Sequence, residues 1–156
     1  INHDWVDMAL VDVVACSDLW IGSRAIWEPT HIQEIVLAQA VPGSIGMSAI
    51  GACLRPVMPQ ETYGLYVAVG QGQGSVLAPV APGMVRQVAI REHRLLSIDE
   101  EITLNPQLCT LALDGERSIE IYPGQTVTVR LTNNGPRVVN VSRCLAEAAR
   151  LGVFSK

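Results

Sequence analysis

Few residues in this chain have the types and spacing that chemistry requires. Gly70-Gln71-Gly72-Gln73-Gly74 has the glycine density of a phosphate loop. The Walker pattern, however, needs Gly-Lys-Ser/Thr and a following helix, and a dinucleotide fingerprint needs a helix N-terminus to hold the pyrophosphate. Residues 75–80 read instead as another strand, so the pentapeptide is expected to be a hairpin loop. The run Gly46-Met47-Ser48-Ala49-Ile50-Gly51 holds one residue too many for a nucleophile elbow. No histidine and carboxylate can be assigned to activate Ser48, which excludes a serine hydrolase reading. Ser44, Ser48 and the glycines around them could let a ligand approach the backbone closely, although tight sheet packing selects the same small residues.

The titratable groups are equally dispersed. Asp99-Glu100-Glu101 could recruit a cation but reads first as a solvated turn, and Asp114-Gly115-Glu116 is ambiguous in the same way, with a tight turn as the default. Cys16, Cys53, Cys109 and Cys144 include no Cys-x-x-Cys pair, and His3, His31 and His93 are scattered. Zinc sites show paired ligands at short spacing, so no metal site is expected. Four buried free thiols in a reducing, cytoplasmic setting are. Asn140-Val141-Ser142 matches a glycosylation sequon, which carries weight only behind a secretory signal, and residues 1–10 have no basic n-region followed by an apolar h-region.

The scaffold for these residues is bounded by composition. The chain has 156 residues, enough for one ordinary domain, with 49% hydrophobic and 17% charged residues. A typical soluble domain is about 25% charged. Aromatic residues make up 4% and the formal charge is -4. A base-stacking platform and a basic phosphate-binding face are therefore both missing, and no nucleic-acid partner is expected. Residues 35–54 and 62–85 are free of charge, but both runs are broken by Gly, Pro, Gln and Ser. They read as buried strands joined by Gly and Pro turns rather than membrane spans. The sequence opens on Ile1 rather than Met, which raises the expectation that it is a piece of a longer protein.

Strand signals recur along the chain. Residues 6–15 read as a buried strand, followed by a turn around Gly22, a short helical turn in 29–34 and a strand at 35–40, with a helix continuing from 29–34 as the alternative. Residues 44–57 form another apolar segment, and 63–69 alternate Leu65, Val67 and Val69 with Tyr66 and Ala68. Leu111 to Leu113 precede the Asp114-Gly115 turn. Ile119 and Ile121, then Val127, Val129 and Leu131, alternate with polar residues around Pro123-Gly124 as a β-hairpin would. Only the tail reads as helix, capped by Asn140, with Cys144, Leu145, Ala148 and Leu151 on one stripe and Gly152 at its end. The expected fold is mainly β: a two-sheet, mostly antiparallel, sandwich-like domain over residues 1–156 with a C-terminal helix.

Three blocks in order, VPGSIGMSAIGACLRP within residues 36–56, VLAPVAPG at 76–83 and LALDGERSIEIYPGQTVTVRL at 111–131, resemble the C-terminal domain of the ATP-NAD kinase family, nearest its acetoin-catabolism protein X branch. The resemblance runs across nearly the whole chain. It implies a β domain packed beside an N-terminal nucleotide-binding α/β domain, with NAD and ATP bound between them. Phosphate would pass from ATP to the 2′-hydroxyl of the NAD ribose, with Mg²⁺ accompanying the ATP and none held by this domain alone. The family's catalytic Gly-Gly-Asp-Gly motif does not occur in these 156 residues, so the domain is expected to be inactive by itself. An Asn-Glu pair of the kinases that contacts ribose corresponds to Val11-Asp12, which keeps a carboxylate and loses the amide. The dinucleotide segment Thr-Pro-Thr-Gly-Ser-Thr-Ala-Tyr corresponds to residues 41–47, which keep Gly43 and Ser44, and Ser48-Ala49-Ile50-Gly51 is similar to the Ser-Ala-Gly-Gly that follows. The resemblance thus assigns NAD(H) contacts to Asp12, Gly43, Ser44 and Ser48. The departures fit a member with an altered nucleotide or without kinase activity. The implied partners are the protein's own N-terminal domain, further copies of the chain and a dinucleotide. The alternative is a non-catalytic β module for nucleotide sensing or protein association in acetoin catabolism.

Overall fold

Valine, leucine and alanine crowd into segments too short and too often broken for long helices, and the chain resolves them as strands. The computed structural model describes residues 6–18, 28–104 and 109–155. In order these form β1 (Asp12–Cys16), a 3-10 turn (Pro29–His31), β2 (Ile32–Leu37), α1 (Met47–Leu54), β3 (Tyr63–Ala81), β4 (Met84–Ser97), β5 (Glu101–Leu104), β6 (Cys109–Leu113), β7 (Arg117–Ile121), β8 (Val127–Arg130) and α2 (Val141–Arg150). Six strands make one antiparallel sheet in the order β4-β3-β2-β1-β6-β7, and β5 pairs with β8 in a second, small sheet. The mainly β, two-sheet architecture with a C-terminal helix is the one expected.

Both faces of the large sheet are covered. On one, Val14, Ile35 and Val67 lie in register across three strands and pack with Leu37, Leu65 and Ile50 of α1. On the other, Val36 and Tyr66 pack with Leu111 and with Leu104 and Leu131 from the small-sheet side. This two-sided cover explains why residues 64–69 are buried without a break although their side chains alternate. Each fully buried Leu or Ile here contributes roughly 1.5–3 kcal/mol.

Several expectations need correction. The first strand is Asp12–Cys16 only, and Val6, Met8 and Leu10 before it are exposed. The apolar segment after Pro42 is not a strand but α1. Met47, Ile50, Gly51 and Leu54 fall at i, i+3, i+4 and i+7, a stripe hidden in the sequence because the remaining positions, Ser48 aside, are also apolar. Gly70 to Gly74 is not a hairpin loop. Val69 and Gly74 both pair with Ile90, so the glycines bulge out of one long β3, and the turn into β4 lies at Pro82-Gly83. A Cβ on Gly72 would sit 2.6 Å from the Arg91 carbonyl oxygen, which is why the bulge needs glycine there.

The expected hairpin around Pro123-Gly124 does not form, because β7 stays in the large sheet while β8 crosses to pair with β5. Both strands feed the same core, so alternation reported their buried faces but not their partners. Cys16 and Cys109 are buried and Cys53 and Cys144 exposed, all four free thiols. The capped C-terminal helix forms, with the Asn140 side chain accepting from the Arg143 N–H at 2.9 Å and Gly152 at φ 70°. It buries no residue, and Leu145 and Leu151 of its stripe are exposed. The turn around Gly22 and His3 lie outside the described residues.

Candidate functional site

The order of strands gathers three loops at one end of the large sheet. β1 begins at Asp12, which pairs with Leu37, the last residue of β2. Asp12 and the loop 38–46 that follows β2 therefore share that end. The β6–β7 turn joins them, because the Asp114 N–H donates to the Asp12 carbonyl at 3.0 Å. Helix α1 then packs against β1, β2 and β3. By alternation with Val14, Asp12 points to the α1 face.

Asp12 is an unusual carboxylate. Burial and, second, the negative charge of Asp114 push it up to about 6, and no described residue donates a hydrogen bond to it. Asp114 is the reverse. Its carboxylate accepts the backbone N–H groups of Leu10 and Val11 at 2.7 Å each and of Asp12 at 3.1 Å. Arg117 holds the same approach segment further out through the Asp7 carboxylate and the Met8 carbonyl. Asp114 and Gly115 both have positive φ, 52° and 65°, as the expected tight turn requires.

The loop contributes backbone rather than side chains. The Ser44 N–H donates to the Val41 carbonyl at 3.1 Å, with Pro42 and Gly43 between them and Gly43 at φ 89°, the form of a type II turn. A Cβ on Gly43 would meet nothing, so the turn conformation, not crowding by the protein, selects glycine. Gly46 precedes α1, its N–H donating to the Pro79 carbonyl at 3.0 Å, and no side chain caps the helix. The Met47 and Ser48 N–H groups are left without a described partner. Ser44 is half-buried and Ser48 is 9% exposed. Gly51 is a packing residue, since a Cβ there would lie 2.2 Å from Leu37 Cδ1.

Other polar clusters lie elsewhere. His31 Nδ1 sits 2.8 Å from an Asp18 carboxylate oxygen at the opposite end of β1. On the small-sheet face the Tyr66 hydroxyl donates to Glu34 at 2.6 Å, and Arg94 lies over the Tyr66 ring and pairs with Glu100. A shallow cleft of about 180 Å³ between the 3-10 turn and the β3 bulge is lined by Pro29, Ile32, Val69 and Gln87, among others. Burial pushes the Cys109 thiol up to about 11 and raises Cys16 as well, so neither is a reactive thiolate. Among the described residues no group of three or more His, Cys, Asp or Glu could hold a metal ion, and no helix is long and apolar enough to cross a membrane.

The sheet end that carries these features falls within a match to a known family. A family model for the acetoin catabolism protein X C-terminal domain matches residues 1–134. The chain belongs to this family. It is 33% identical over 147 residues to acetoin catabolism protein X of Cupriavidus necator, covering 92% of this chain and 41% of that relative. No solved structure matches the chain. All of Asp12, the 41–46 loop, α1 and Asp114 lie inside the acetoin catabolism protein X domain, whereas α2 lies beyond it.

Among the residues assigned from the sequence, Asp12, Gly43, Ser44 and Ser48 sit on β1, the loop and the first turn of α1. Asp114 is legible in the sequence only as part of an acidic turn. Asp-Gly marks a turn whatever its side chain does, and only the register of β1 against β6 reveals three N–H groups converging on this carboxylate.

Proposed function

We propose that this domain is the dinucleotide-contacting half of a protein of acetoin catabolism, binding NAD(H) without carrying out chemistry itself. The observation that carries the reading is the half-buried Asp12 carboxylate, without a described donor, at the sheet end it shares with the Pro42-Gly43 turn and the uncapped start of α1. A carboxylate in that state takes hydroxyl donors such as those of a ribose. Free N–H groups at a helix start favour phosphate oxygens, and Ser44 and Ser48 offer hydroxyls beside them. The kinship to ATP-NAD kinases belongs to the same proposal. In that case ATP with Mg²⁺ and the catalytic aspartate would be held by an N-terminal domain, and transfer would rest on positioning and charge neutralisation.

Calorimetric titration of NAD, NADH and ATP into the full-length natural protein that carries this sequence tests the reading. Dinucleotide is expected to bind, and Asp12→Ala and Ser44→Ala to weaken it at least about tenfold for the carboxylate, the size of one charge-assisted hydrogen bond. Absence of heat at millimolar dinucleotide would overturn it. Adding ATP and Mg²⁺ and looking for 2′-phosphorylated NAD separates a kinase from a sensor.

A second role, association between copies, is favoured by one observation. Val138, Val139, Leu145, Leu151 and Phe154 around α2 are all more than half exposed.

A further inference from the structure

We infer that Asp114 is the positioning residue for Asp12 and sets the pH range over which Asp12 accepts a ligand hydroxyl, an inference that rests on the dinucleotide reading of Asp12. Three observations meet at this side chain. Its carboxylate binds three consecutive backbone N–H groups, those of Leu10, Val11 and Asp12. Its own N–H returns to the Asp12 carbonyl. Its backbone holds φ 52°, the left-handed conformation of the Asp114-Gly115 turn, which aspartate adopts more readily than most residues and which aims its carboxylate back at the start of β1. Together these lock the direction in which the first residue of β1 projects its side chain.

Geometry alone would be served by asparagine, which enters the left-handed region readily and has a side-chain acceptor. The aspartate adds a negative charge beside a half-buried carboxylate. Among the described residues no cation facing Asp12 offsets it: β2 presents Leu37, the β6 residue on the same face is Ala112, which pairs with Val14, and the loop 41–46 and α1 contain no charged residue. Arg117, the nearest cation along β7, is engaged by Asp7 and the Met8 carbonyl, and the adjacent Glu116 is a further negative charge in the turn. Arg55 follows α1 and is exposed. Asp12 thus keeps a proton well above the usual carboxylate range, to about 6. A ligand hydroxyl bonds the ionised form more strongly, so affinity is lost on acidification.

Two measurements on the full-length natural protein separate this inference from the reading beneath it. The first follows the Asp12 carboxyl carbon by ¹³C NMR against pH without ligand. Asp114→Asn is expected to lower the Asp12 midpoint by about one pH unit, as removal of a neighbouring like charge does. An unchanged midpoint overturns the inference. The second titrates NAD at pH 7.5 and 5.5. Wild type is expected to lose affinity about fourfold at the lower pH, the fall in ionised fraction for a group titrating near 6. Asp114→Asn should lose less than twofold and Asp12→Ala should show no pH effect, a pattern that a purely structural role would not produce. Equal losses in wild type and Asp114→Asn overturn the inference. If the midpoint shifts but no NAD binds at either pH, Asp114 keeps its role and the dinucleotide reading fails. Should Asp114→Asn not fold, the wild-type amide shifts of Leu10, Val11 and Asp12 decide. They must move with the Asp12 titration, and indifference to it overturns the inference.

Discussion

Asp12 binds its proton more tightly in the folded chain, near 6, than in the unfolded one, near 3.8. Its contribution to stability is therefore fully present below pH 3.8 and lost as pH rises through 6. Asp12→Asn is accordingly expected to stabilise the fold on the order of 2 kcal/mol at pH 7.5 and not at all at pH 3.5, read from urea unfolding at the two pH values. A second expectation concerns Thr110, 2% exposed, whose hydroxyl has no hydrogen-bond partner among the described residues. Thr110→Val keeps the shape and removes the unpaired group, so it should raise stability by about 1 kcal/mol, whereas Tyr66→Phe takes a donor from Glu34 and should cost about 1–3 kcal/mol. At this scale the sequence was least legible. A single carboxylate such as Asp12 carries no motif, and it was reached only through family resemblance. Asp114 was visible as a turn residue while its hydrogen bonds, made across more than a hundred residues, were not.

Elements were legible where the pattern was local. The Asp114-Gly115 turn, the strand before it and the capped tail helix each depend on neighbours in sequence, and each forms where expected. Alternation found the buried faces of β7 and β8 but could not say that β8 leaves its neighbour for β5, a choice made by the need to cover the large sheet. Helix α1 escaped notice because all of it but Ser48 is apolar or glycine, so its period gave little contrast. The approach of β3 to β2 can be tested at Gly64, where a Cβ would lie 2.5 Å from the Leu37 carbonyl oxygen and 3.1 Å from Leu131. Gly64→Ala is expected to destabilise by about 1–3 kcal/mol, seen as a lower unfolding midpoint and faster amide exchange in β2.

For the whole molecule, composition pointed to a real core and recurring strand signals to a mainly β domain, and low charge is consistent with a sheet covered on both faces. Helix α2 stands apart, outside the family match and burying nothing. Shortening the chain to residues 1–134 should therefore change the unfolding free energy by less than about 1 kcal/mol. If α2 joins copies, sedimentation should show a smaller species at the same concentration. The central claim is that the sheet end built by Asp12, the 41–46 loop and α1 contacts a dinucleotide. Its most direct test is calorimetric titration of NAD at pH 7.5 into the full-length protein carrying this sequence and into its Asp12→Ala variant. Saturable binding weakened at least about tenfold by the substitution is the expected result. Binding that is absent at millimolar NAD, or unaffected by Asp12→Ala, would contradict the claim.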